Sequence, residues 1–207
     1  TVQRADGTTD TLSVGDKVFK NDVIITGEGS EAAIAFTDES VLSLSENGRM
    51  TLDDYVYNPA GAESNMLVGL LQGTLAVVSG KIAPNGDMEV TTPVATLGIR
   101  GTSAVIQFAG VDLRVALVTD VKDGEGGLIQ IINNDTNEVL LNLTVGQIGQ
   151  IASLVAGSND ATLSDLTAEE RALITQTVNQ LTTSYNQSRG DNGQDGDSQP
   201  GSGFGNP

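Results

Sequence analysis

Short runs in which apolar and polar residues alternate dominate the chain up to about residue 155. In Ala32-Ala33-Ile34-Ala35-Phe36, Ile34 and Phe36 fall on one face. In Val41-Leu42-Ser43-Leu44-Ser45, Leu42 and Leu44 point inward and both serines outward. Leu113, Val115 and Leu117 alternate with Arg114 and Ala116, and Ile129 and Ile131 continue the pattern. Successive side chains of a strand face opposite sides, so this period of two predicts an all-β fold. Residues that tolerate positive φ punctuate the runs at Asp6-Gly7, Asn47-Gly48 and Asn85-Gly86. Residues 58–65 read as an excursion between strands, and Asp123-Gly124-Glu125-Gly126-Gly127 as a flexible loop.

Near residue 160 the period changes. Thr167-Ala168-Glu169-Glu170 has the form of a capping box, with Thr167 as N-cap and Glu170 three residues on. Leu173, Ile174, Val178, Leu181 and Tyr185 then recur at helical spacing, which predicts an amphipathic helix over about 168–187. Its apolar stripe must cover either the β core or a partner. Ile174, Val178, Leu181 and Tyr185 are therefore candidate interaction residues. From Gly190 onward the chain is Gly, Asp, Asn, Gln, Ser and Pro with Phe204 as the one large apolar residue. Such a segment buries too little apolar surface to offset its ordering entropy. The predicted organisation is a β-domain over 1–160, a C-terminal helix within 161–188, and a flexible Gly/Asp-rich tail or linker over 189–207.

Composition narrows the function. The 207 residues suit one large domain or a domain with appendages. With 27 acidic and 10 basic residues the net charge is −17. That balance lacks the basic footprint of a nucleic-acid binder. There is no cysteine and no histidine. Cysteine nucleophiles, Ser-His-Asp triads, disulfides and the usual zinc ligand sets are thereby excluded. Aromatic residues make up 3% of the chain and tryptophan is absent, so Asp53-Asp54 and other paired carboxylates lack the platforms of a sugar-cleaving site. No apolar run is long enough to span a bilayer, and no membrane insertion is expected. The chain reads as a non-enzyme without catalytic or cofactor-binding residues. The one metal candidate is Ca2+, through Asp120, Asp123 and Glu125; calcium takes six or more oxygens, which such a loop supplies only in part. Solvated loop charge is the other reading of those three residues.

The most distinctive stretch is residues 91–102, Thr-Thr-Pro-Val-Ala-Thr-Leu-Gly-Ile-Arg-Gly-Thr. Pro93 lacks an amide to donate and suits a strand start. Gly98 and Gly101 flank Arg100, which is either a contact for an anion or partner carboxylate or a structural charge on an acidic surface. Four earlier blocks lead up to this one: Leu12-Ser13-Val14-Gly15-Asp16, Asp22-Val23-Ile24-Ile25-Thr26-Gly27, Ile34-Ala35-Phe36-Thr37-Asp38-Glu39-Ser40-Val41-Leu42, and Gly73-Thr74-Leu75 with Ser79-Gly80-Lys81-Ile82. In this order and spacing, over roughly residues 10–120, they resemble the extracytoplasmic domain of FecR-type proteins. The resemblance implies an all-β domain, solenoid-like or a sandwich, outside the cytoplasm of a bacterium: secreted, at the cell surface or periplasmic. It implies no enzymatic activity, and partners that are proteins, copies of the chain itself among them. The expected function is a protein-interaction or structural module of a secreted or surface assembly, self-associating or adhesin-like. The alternative is a periplasmic sensory domain relaying a signal from an outer-membrane receptor. The sequence departs from the regulator pattern in showing neither a sigma-factor-binding helical domain nor a transmembrane helix. The phrases Leu12-Ser13-Val14-Gly15-Asp16 and Leu143-Thr144-Val145-Gly146-Gln147 also look alike, each an apolar-hydroxyl-Val-Gly corner.

Overall fold

The run that begins at Asn65 forms one continuous strand as far as Val78, and it belongs to two sheets at once. The structure, a computed structural model, describes residues 1–59, 64–85, 88–118 and 127–191. Along the chain the strands are β1 (Val2–Gln3), β2 (Thr9–Asp10), β3 (Val23–Ile25), β4 (Ala32–Ala35), β5 (Val41–Leu44), β6 (Arg49–Val56), β7 (Asn65–Val78), β8 (Met88–Thr91), β9 (Ala95–Arg100), β10 (Ser103–Ala109), β11 (Asp112–Val118), β12 (Leu128–Asn133), β13 (Val139–Leu143), β14 (Gln150–Val155) and β15 (Thr162–Asp165). A single helix, α1 (Ala168–Asp191), follows among the described residues.

The first half of β7 pairs with β6 on one side and β8 on the other, in a sheet ordered β13-β12-β9-β8-β7-β6-β3-β1-β2. Its second half pairs with β5 and β10, in a sheet ordered β4-β5-β7-β10-β11-β14-β15. The change of sheet falls at Gln72 and Gly73. Gly73 has φ +98°, and a Cβ there would lie 2.6 Å from the Gly48 Cα. A corner this tight needs glycine on both counts. Among the described residues pairing is antiparallel except for β7 with β8, which are parallel and joined by the crossover that follows Val78. The sheets face one another across one core that takes Met50, Leu70, Leu97 and Ile99 from the first sheet and Leu42, Leu75, Ile106 and Val115 from the second. Of the two expected forms, solenoid-like or sandwich, the chain adopts the sandwich.

The periodicity places most residues where alternation expects them, with one informative exception. Leu42 and Leu44 face the core, and Ser43 faces away from it, yet Ser43 is buried as well. The reason is that α1 lies on that outer face, where Ile174, Leu181 and Tyr185 pack with Val41, Ala76, Val78, Val105 and Ala116. The β-domain also runs past 160: β15 adds an edge strand before the helix begins at Ala168. The helix in turn extends to Asp191, into the segment read as tail.

The two look-alike corners close in the same way. The Ser13 amide donates to Asp16 Oδ2 at 2.7 Å, and the Thr144 amide to Gln147 Oε1 at 2.8 Å. The Asp16 and Gln147 amides donate back to the Ser13 and Thr144 carbonyls. Each closure leaves a valine, Val14 or Val145, exposed at the tip. These are turn motifs rather than a structural repeat of larger scale.

Candidate functional site

Two of the sequence blocks meet at Asp38, which is fully buried between the β4–β5 turn and the crossover after β7. Its Oδ2 accepts from Ser40 Oγ at 2.6 Å, and its Oδ1 accepts from the Ser40 amide at 3.1 Å. Ser40 Oγ in turn accepts from the Gly80 amide at 2.9 Å, and the Asp38 carbonyl accepts from the Lys81 amide at 2.8 Å. Gly80 has no room for a side chain, since a Cβ would run into the Asp38 carboxylate and carbonyl and the Ser40 amide. Tyr55 closes the cluster from β6: its hydroxyl accepts from the Asp38 amide at 3.0 Å and lies 2.8 Å from Thr37 Oγ1. Burial, more than any neighbouring charge, holds the Tyr55 phenol above its ordinary pKa. On the surface above, Lys81 and Glu39 form an ion pair of 2.6 Å. One residue before Gly80, Ser79 Oγ accepts from the Thr102 amide at 2.9 Å, which ties in the turn that carries Arg100 and Gly101. The signature residues thus fasten the sheet-to-sheet crossover to two turns. Among the described residues no buried side-chain polar atom is left without a partner, and these bonds make the cluster a fastening between the crossover and the turns.

The outer face of the second sheet is organised in cross-strand rows. Val41, Val78 and Val118 lie in one row, and Ser43, Ala76, Val105 and Ala116 in the next. Helix α1 covers both. The third row is polar, with Thr74, Gln107 and Arg114 side by side across β7, β10 and β11. Arg114 reaches up to the helix and pairs with Glu170. Beside it, Thr74 and Gln107 of the row and the helix wall enclose an open groove of about 660 Å³ at the end of the sandwich where β7 bends. Glu31 and Glu46 stand at its strand side, and Gln176 and Gln180 at its helix side.

The residues singled out from sequence are placed as follows. Arg100 is exposed at the end of β9, opposite Leu128, and forms no ion pair among the described residues. Ile174, Leu181 and Tyr185 are buried in the chain's own cluster, with Val178 partly buried against it. Of the two destinations open to the stripe, the β core and a partner, these residues lie against the outer face of the second sheet. Asp120, Asp123 and Glu125 lie outside the described residues. Among the described residues no group of three His, Cys, Asp or Glu side chains could hold a metal ion, and no helix is long and apolar enough to cross a membrane. The sequence reading missed Asp38, Tyr55 and the groove. Gly80 beside Ser79 was the signal for the first, and nothing local marked the groove, whose walls come from separate elements.

Comparison with known proteins agrees with this geometry. Two crystal structures of a proposed anti-sigma factor from Parabacteroides distasonis ATCC 8503 share the fold. One has a TM-score of 0.52 at 14% identity, covering 74% of this chain and 64% of that one. The other has a TM-score of 0.50 at 15% identity, covering 72% and 62%. The chain thus spans less than two thirds of either. No curated protein sequence matches. The FecR protein family matches residues 22–124, a span that opens at the buried Asp22 and contains the whole Asp38 cluster. The chain carries a FecR domain.

Proposed function

We propose that this chain is a non-catalytic, extracytoplasmic sensory module of a bacterial surface signalling system, which passes its signal by contact with another protein. The observation that carries the reading is the FecR match over 22–124, with its signature residues spent on fastening turns rather than on exposing reactive groups. The fold shared with a proposed anti-sigma factor supports a role in signalling over one in adhesion. A module of this kind needs a rigid body and a recognisable surface, and the sandwich supplies both. The test is competition. The chain, exported in excess into its native strain, should compete for the partner and change transcription of the genes under the system's control. No change, with the free domain shown to be folded and exported, would sink the reading.

Self-association is the second reading, favoured by β4. Among the described residues this edge strand, Ala-Ala-Ile-Ala, pairs with β5 alone and carries no charge, proline or glycine to discourage another chain. Light scattering after size exclusion decides it: a monomer at high concentration removes it.

A further inference from the structure

The groove beside α1 has a chemistry that narrows what the module would bind. We propose that it receives an extended, lysine- or arginine-bearing segment of the partner protein. This rests on the reading of the chain as a protein-binding signalling module.

The groove is of ordinary size for a binding site, at about 660 Å³. It contains two carboxylates, Glu31 and Glu46, and no lysine or arginine among its lining residues. An anionic guest would face both carboxylates there, whereas a cationic one is favoured by them and by the net charge of −17. Both carboxylates are held ready. Ser43 Oγ donates to Glu31 Oε1 at 2.6 Å, and the Gly29 amide donates to Glu46 Oε2 at 2.6 Å. The second oxygen of each stays available.

An independent observation comes from Thr74. The residue lines the groove at 8% exposure, and its hydroxyl forms no hydrogen bond among the described residues. Among the described residues no buried side-chain polar atom lacks a partner, so the hydroxyl is the part of Thr74 that stays accessible, and the open side here is the groove. Gln107 and Gln180 also line it without side-chain hydrogen-bond partners among the described residues, each offering a donor and an acceptor. Alternating donors and acceptors suit a peptide backbone. A sugar would lack a stacking platform, because Phe108 keeps its ring in the core.

The experiment is NMR titration of the whole chain with a Ser–Lys alternating decapeptide, a Ser–Glu counterpart and lysine amide. The expected result is movement of the Gln107, Gln176 and Gln180 side-chain amides with Ser–Lys only, at far lower concentration than with lysine amide. Glu31→Gln with Glu46→Gln should weaken binding about tenfold, as expected for two partly exposed charge contacts, while Glu89→Gln changes nothing. Equal response to Ser–Glu, equal affinity for lysine amide, or movement confined to other residues would each overturn the proposal. Competition in the reporter strain separates the two levels. If the free domain competes but neither binds Ser–Lys nor loses competition in the double variant, the groove assignment is wrong and the signalling reading stands. If the free domain does not compete, the reading itself has failed.

Discussion

Arg114 on β11 and Glu170 in the first turn of α1 form an ion pair that joins the helix to the sheet it covers. Glu170 has a second task at the same time. Its Oε2 accepts from the Thr167 amide at 2.8 Å, and its own amide donates to Thr167 Oγ1 at 3.2 Å, completing the capping box. The residue that starts the helix is thus the residue that orients it.

This coupling gives a pH dependence. The hydrogen bonds from Thr167, with Arg114 adding to them, hold the Glu170 carboxyl below its usual range. The folded pKa is depressed, so the stabilisation is fully present above the unfolded value of about 4.3 and is lost as pH falls through the folded value. Glu170→Gln should therefore lower the melting temperature near neutral pH, and the gap from wild type should close below about pH 4. A gap that persists unchanged into acid would show that the charge is irrelevant.

Leu181 is fully buried against the outer face of the second sheet. Leu181→Ala should cost about 2–5 kcal/mol of helix docking. The main core lies on the opposite face and does not include the helix. Amide exchange should rise across α1 while β7 and β10 stay protected. Equal loss of protection in both would mean that helix and sandwich unfold as one unit.

The strands were legible because each of the two sheets keeps one face on the core, which imposes the period of two. The helix was legible from Thr167, Glu170 and the spacing of Ile174, Val178, Leu181 and Tyr185. Its destination was not, because Leu75-Ala76-Val77-Val78 is apolar on both faces and reads equally as a strand buried in any sheet. The burial of Ser43 follows from that same hidden face. Arg100 stood out because it is the lone charge in its block, yet it is exposed, and its neighbour Thr102 makes the structural contact. Asp38 and Tyr55 are 17 residues apart, and their pairing depends on the bend of a sheet that no local pattern encodes.

Gly80 sits against the backbone of the β4–β5 turn with no space for a methyl group. Gly80→Ala must push the crossover away from Asp38 and break the bond from the Gly80 amide to Ser40 Oγ. The expected cost is about 1–3 kcal/mol for overpacking, plus about 1 kcal/mol for the hydrogen bond. Gly98→Ala is the matched control, since a Cβ there meets only the Ile132 and Gln130 side chains at 3.9 Å and 4.0 Å. Chemical denaturation should separate the two clearly. Similar midpoints would show that the crossover yields without cost.

The Tyr55 phenol offers a spectroscopic report on the same cluster. Burial raises its pKa, and the neighbouring Asp38 charge adds to the rise. The folded state therefore favours the neutral phenol, and its contribution is fully present below the unfolded value of about 10 and lost as pH rises through the folded value. Ultraviolet titration should show Tyr55 ionising later than a free tyrosine and coincident with alkaline unfolding. Tyr55→Phe removes the late-ionising phenol and leaves the Asp38 amide without its acceptor. That variant should lose about 1–3 kcal/mol at neutral pH, the cost of a buried donor left unpaired. Its stability should then decline less steeply than wild type above pH 10. A wild-type phenol that titrates normally in the folded protein would refute the burial assigned to it.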